Sequence, residues 1–164
     1  MIYVECKPDE VLIKNLVKMK ISRKRVIHAG NKPEVCKSLK RNKNCIGIID
    51  EDPWSFQPSY LSELKVKFDN LNKYDIKVLY DDPRNNYLIL LCPRLEEWIL
   101  NCVKEIKINI KSFGLPDTGE RLHECINLNL ENFKKLINHL ENHGSIRITE
   151  FKKLLTKMVR DTIP

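Results

Sequence analysis

Cys45-Ile46-Gly47-Ile48-Ile49-Asp50 is almost continuously apolar and ends on a carboxylate. A strand that is apolar at every position is covered on both faces, as happens when a parallel strand lies between helix layers. Two β-rich segments precede it, 2–6 and 25–29. A helical pattern follows each of them. Pro8 and Asp9 open the first, whose apolar residues Val11, Leu12, Leu16 and Met19 recur close to the helical period. Gly30-Asn31 ends the second strand, and 33–41 places Val35, Cys36 and Leu39 on one side of the next helix. Strand–helix–strand–helix–strand with right-handed crossovers gives a parallel core, so the fold class is α/β.

The second half adds pieces of other kinds. Pro53 and Pro58 make 52–58 a loop, and 61–71 is weakly helical. Segments 76–80 and 87–91 read as strands. The turn residues Asp81-Asp82-Pro83-Arg84-Asn85-Asn86 lie between them, so these two strands form an antiparallel hairpin. A helix then starts with Pro93 in its first turn. Its stripe is Leu95, Trp98, Ile99, Cys102, Val103 and Ile106. Gly114, Pro116 and Gly119 interrupt the pattern. Two helices complete the chain. One covers 130–143, with Phe133, Leu136, Ile137 and Leu140 inward and Gly144 as its stop. The other covers 149–160, with Phe151, Leu154, Leu155 and Met158 inward and Thr149 as N-cap. The expected division is an α/β domain over 1–111 and a C-terminal helical extension over 112–164 packed on it, within reach of a 164-residue chain.

Composition narrows the function classes. At 42% hydrophobic with only 5 Gly, the chain is a globular one. No apolar run has membrane-spanning length, and Met1–Glu5 lacks the regions of a signal peptide. The six cysteines form no C-x-x-C pair and sit in apolar patterns. The expectation is a cytoplasmic protein with reduced thiols and no membrane partner; a homo-oligomer is compatible with it. The formal charge of +7 favours polyanionic partners, chiefly DNA or RNA, although lysines scattered on helix faces produce the same sum. No Walker loop, G-x-G-x-x-G or G-x-S-x-G occurs, which disfavours P-loop and serine-hydrolase chemistry.

Ligands of open parallel sheets gather at the carboxyl ends of the strands. Glu5 ends the first strand, and Asp50 and Asp52 end the third. Alternation puts Asp50 and Asp52 on one side if the chain stays extended through Glu51. Clustered carboxylates repel one another unless a cation sits among them. Oxygen donors suit Mg²⁺ or Mn²⁺, which polarise phosphoryl oxygens and activate water. The plainer reading is that these acids cap helices or face water.

Glu5 after a strand, then helix, strand, helix and a strand ending Asp50-Glu51-Asp52, resembles the TOPRIM domain of topoisomerases, bacterial primases, ribosomal-RNA maturation nucleases and OLD-type nucleases. The resemblance spans roughly residues 1–110. It rests on Val4-Glu5-Cys6-Lys7-Pro8-Asp9-Glu10 and Ile48-Ile49-Asp50-Glu51-Asp52. Pro93-Arg94-Leu95-Glu96-Glu97-Trp98 is similar to a third element, P-x-x-E-x-W, of small stand-alone TOPRIM-like proteins, some from prokaryotic defence loci. The resemblance implies a proton-transfer role for Glu5, metal-holding roles for Asp50 and Asp52, and an additional acidic role for Glu96. Cys6 stands where the family usually has Gly. The implied function is Mg²⁺-dependent phosphodiester cleavage of nucleic acid. The alternative is a non-catalytic TOPRIM-fold module that binds a partner protein in a defence or repair complex.

Other candidates carry less. His139 and His143 share a helix face, but no third zinc ligand is evident. His123-Glu124-Cys125 matches one fragment of a zinc deaminase signature, without the P-C-x-x-C that should follow. Trp54 and Phe56, just after Asp52, suit stacking on a base or packing under a loop. A receiver-type phosphotransfer site would need a lysine partner for Asp50, and Lys77 does not fit that pattern.

Overall fold

The computed structural model describes residues 1–17 and 25–162. Met19, expected on the first helix, lies outside them. In chain order the regular elements are β1 (Ile2–Val4), α1 (Lys7–Leu16), β2 (Val26–His28), α2 (Lys32–Arg41), β3 (Ile46–Asp50), β4 (Lys65–Lys67), β5 (Ile76–Asp81), β6 (Asn86–Leu91), α3 (Leu95–Glu105), α4 (Gly119–Leu128), α5 (Leu130–Asn142) and α6 (Ile146–Thr162). They form an α/β fold around one mixed six-stranded sheet, ordered β2-β1-β3-β6-β5-β4. The pairs β1–β2, β1–β3 and β3–β6 are parallel, and β6–β5 and β5–β4 are antiparallel.

Strand alternation divides the core between the two faces. Ile2, Val4, Ile46, Ile48, Ile89 and Leu91 pack with α1 and α3–α6; Tyr3, Ile49, Leu88 and Leu90 pack with α2 and Tyr60. The thick side explains the inward stripes read in α3, α5 and α6. Trp98, Phe133 and Phe151 are buried in it, and residues of α4, α5 and α6 belong to the same apolar cluster as β1, β3 and β6. On the thin side, α2 lies directly on β3 because Gly47 has no side chain. A Cβ there would stand 2.7 Å from Leu39 Cδ1 and 2.8 Å from Leu88 Cδ1. Buried Asn86 ties the layers together: its Nδ2 donates to the Leu39 and Asn42 carbonyls at 2.8 and 2.9 Å, and its Oδ1 accepts from Cys45 N–H at 2.9 Å.

Several local expectations change. Segment 61–71 is two 3-10 turns, Ser59–Glu63 and Asp69–Tyr74, separated by β4. Lys65 and Lys67 flank exposed Val66, a pattern that protects an edge strand from pairing with other chains. Gly119 opens α4 instead of breaking the chain: a Cβ there would run into the Glu97 carboxyl. Pro93 precedes α3, whose N-cap is Arg94. Helix α6 begins a turn early, at Ile146, and Thr149 Oγ1 donates to the Ser145 carbonyl. In that first turn Arg147 pairs with Asp75 (2.8 Å) and with Glu105, joining α6 to α3 and the start of β5. Gly144 has φ +76°, the left-handed stop expected after α5. All six cysteines are free thiols. Among the described residues no helix is long and apolar enough to cross a membrane.

Candidate acidic site at the strand ends

Parallel strands β1, β3 and β6 end on the same edge of the sheet, and the helices that follow β1 and β6 begin there. Asp50, the last residue of β3, shares the face of Ile46 and Ile48, toward α1 and α3. Its Oδ1 accepts the Leu95 N–H at 2.8 Å, in the first turn of α3. Asp9, fully enclosed in the first turn of α1, accepts from the Cys6 N–H and the Cys6 thiol, both at 3.1 Å. Glu96, one residue into α3, is 3% exposed. Its Oε1 meets His123 Nδ1 of α4 at 2.8 Å, and its Oε2 is buried with no hydrogen-bond partner among the described residues.

These groups perturb one another. Burial raises the Asp50 carboxyl far above its ordinary range, and the charges of Asp9, Glu5 and Glu96 push it further up. Asp9 is raised for the same leading reason, with Glu96 adding to it, while its bonds from Cys6 act the other way. Burial also raises the Cys6 thiol, beside Asp9. Glu5 lies toward the α2 face: its charge is felt by Cys36, and Lys32 of α2 is felt by Glu5. One Glu5 oxygen accepts the Asp50 N–H at 3.3 Å. Burial, helped by Asp9 and Asp52, lifts the Glu5 carboxyl to about 7.

The three acids expected to converge are thus arranged differently. Asp50 groups with Asp9 and Glu96 on the α1/α3 side. Glu5 adjoins that group across the end of the sheet. The extended run ends at Asp52, where φ is +36°, so alternation no longer aligns it with Asp50. Asp52 stands on the rim, near enough to raise Glu5 and to add to the raised Arg94. Among the described residues, no three His, Cys, Asp or Glu side chains are poised around one metal position. The donors are nonetheless all carboxylate oxygens, the set preferred by hard cations, and Glu96 offers a buried oxygen with nothing bound to it. In donor chemistry the residues fit Mg²⁺ or Mn²⁺.

Three members escaped the sequence reading of the site. Asp9 was legible only as a helix start, the role its bonds to Cys6 N–H and Sγ fulfil. His123 is brought in by α4, which has no sequence signal tying it to α3. Lys32, 6% exposed, opens α2 and donates to the Glu51 carbonyl at 2.8 Å and to Ser55 Oγ at 3.2 Å. Its place just past β2, on the same strand-end edge, was the available clue. Glu51 itself turns to Lys77. His139 and His143 stack on each other, centroids 3.7 Å apart, away from this group.

A groove of about 580 Å³ along α5 and α6 shares no lining residue with the acids. Compared with protein-family models, curated proteins and solved structures, the chain matches none.

Proposed function

We propose that the acidic strand end is the centre of a TOPRIM-like, Mg²⁺- or Mn²⁺-dependent phosphodiesterase acting on nucleic acid. The observation that carries this reading is the unpartnered buried Oε2 of Glu96, enclosed with the raised carboxyls of Asp9 and Asp50. Leaving such an oxygen unbonded costs about 1–3 kcal/mol, more if it is charged. A cation there relieves both that cost and the repulsion. Asp50 and Glu96 would hold it, with Asp52 on the rim. Bound, it supplies charge neutralisation at the phosphoryl oxygens and a more acidic water.

The chain's own groups account for the remaining requirements. Glu5, titrating about 7, is matched to taking a proton from water and returning one to the leaving oxygen near neutral pH. Its bond from Asp50 N–H keeps it beside the residues that would hold the cation. The first turns of α1 and α3 turn their N–H groups toward the same edge, which favours negative charge.

Metal-stimulated cleavage of labelled DNA and RNA tests the proposal. Glu5→Gln and Asp50→Ala are each expected to lower it by about 100-fold or more. Full activity in both variants would overturn it. One observation favours the rival reading, a non-catalytic module in a protein complex: Asp9 and Asp50 already serve as acceptors at the N-terminal ends of α1 and α3, for Cys6 N–H and Leu95 N–H. In that case no metal-dependent cleavage accompanies the folded chain.

A further inference from the structure

The loop after Asp50 carries two large side chains that folding leaves in water. Trp54 is 96% exposed and Phe56 76%. Their loop is not loose. Glu51 N–H donates to the Leu91 carbonyl at 2.9 Å and Asp52 N–H to the Pro93 carbonyl at 2.8 Å. Ser55 N–H returns to the Asp52 carbonyl at 3.0 Å, and Gln57 Nε2 donates to the Asp52 and Ser55 carbonyls at 2.8 and 3.1 Å. Buried Lys32 holds the loop from beneath through Glu51 and Ser55. The carbonyls of Glu51, Asp52 and Ser55 are held by Lys32 or Gln57, and Trp54 and Phe56 are the large apolar side chains that the loop exposes.

Where the loop ends, at Pro58, a groove of about 230 Å³ begins between α2 and the turn that follows, lined by Pro33, Lys37, Lys40, Arg41, Pro58 and Tyr60. Among the described residues, Lys37 and Lys40 are engaged by Glu34 and Glu63, in exposed pairs of 3.2 and 2.7 Å. Such solvent-exposed pairs contribute little and yield readily to a phosphate. Aromatic rings on a hydrogen-bonded loop, continued by a groove with Lys37, Lys40 and Arg41 on its wall, match the chemistry of an unpaired polynucleotide, whose bases offer π-faces and whose backbone is anionic. A duplex hides those faces in its stack. A purely apolar partner would leave the groove's cations unused.

We propose that the 51–58 loop and the α2 groove form a platform for single-stranded nucleic acid, with bases on Trp54 and Phe56 and the backbone along Lys37, Lys40 and Arg41. This rests on the phosphodiesterase reading and names its substrate class: strands that are single or locally unpaired.

Intrinsic fluorescence tests it, because the chain has only two tryptophans. Trp98 is fully buried, edge-on to Phe151 with centroids 5.3 Å apart. Trp54 alone reports the surface. Titration with a short oligothymidylate in EDTA is expected to quench the exposed emission and shield it from iodide. Trp54→Ala, followed by anisotropy of a labelled oligonucleotide, and Phe56→Ala are each expected to weaken binding about tenfold. Lys37→Glu with Lys40→Glu is expected to flatten the salt dependence.

Unchanged emission at high oligonucleotide, wild-type affinity in both aromatic variants, or equal quenching by a duplex would overturn the proposal. Cleavage assayed in parallel separates the two claims. Quenching without cleavage keeps the platform and removes the phosphodiesterase; cleavage of duplex without quenching does the reverse.

Discussion

His123 Nδ1 lies 2.8 Å from Glu96 Oε1, joining an imidazole that is 61% exposed to a carboxylate that is 3% exposed. With Glu96 ionised, the imidazole N–H is the donor, and among the described residues it is the one hydrogen bond that the carboxylate has. His123→Ala should therefore destabilise the fold by about 1–3 kcal/mol in EDTA. It should also weaken Mn²⁺ binding about 10- to 100-fold, the usual effect of removing a group that orients a ligand. His123→Gln, which still donates, should recover part of both. Denaturant melts and Mn²⁺ titration measure these effects; equal Mn²⁺ affinity in all three proteins would remove His123 from the site.

Stability should depend on pH in the direction opposite to ordinary acid unfolding. Glu5 rises from 4.5 to about 7 on folding, so the folded chain binds more protons than the unfolded chain across that window. Its contribution is fully present below 4.5 and is lost as pH rises through about 7. Asp9 and Asp50 shift in the same sense. Melting temperature in EDTA should fall over this window, and Mg²⁺ should raise it more at pH 8 than at pH 5. A melting temperature that climbs over the window, unaffected by Mg²⁺, would contradict the assignment.

Lys32 should govern the order of the loop beneath which it lies. Lys32→Met removes the donor to Glu51 and Ser55. The expected result is faster proteolysis within 52–58 and a loss of about 1–3 kcal/mol. Cleavage by protease at the wild-type rate would show that the backbone bonds suffice.

Gly47 should tolerate no side chain. Gly47→Ala pushes a methyl against Leu39 and Leu88. It should cost about 1–3 kcal/mol by overpacking, read from urea melts. Gly30→Ala, with nothing within 4 Å of its Cβ but φ +104°, is strained for a different reason and serves as the comparison.

The parallel half of the fold was legible because its signals are local. The unbroken apolar run of β3, the stripe of α3 and the turn residues before Asn86 each determine an element without help from elsewhere. Helix α4 was missed because Gly119 looks like a breaker until Glu97 is seen to occupy the space of its Cβ. The edge strand β4 was missed because three residues with one apolar side chain carry too little period. At the site, Glu5, Asp50 and Glu96 were legible from strand ends and from the resemblance. The grouping was not. Alternation sends Glu5 and Asp50 to opposite faces of the sheet, and the left-handed turn at Asp52 ends the register that linked it to Asp50. Asp9 and His123 come from helices whose contact with α3 is purely tertiary.

The central claim is that these carboxylates hold a divalent cation. Anomalous diffraction from crystals soaked in Mn²⁺ tests it most directly. The account predicts a peak within coordination distance of Asp50 and of the free oxygen of Glu96, absent in Asp50→Ala crystals. Strongly diffracting soaked crystals with Glu96 Oε2 still unbonded and no peak among Glu5, Asp9, Asp50, Asp52 and Glu96 would contradict it.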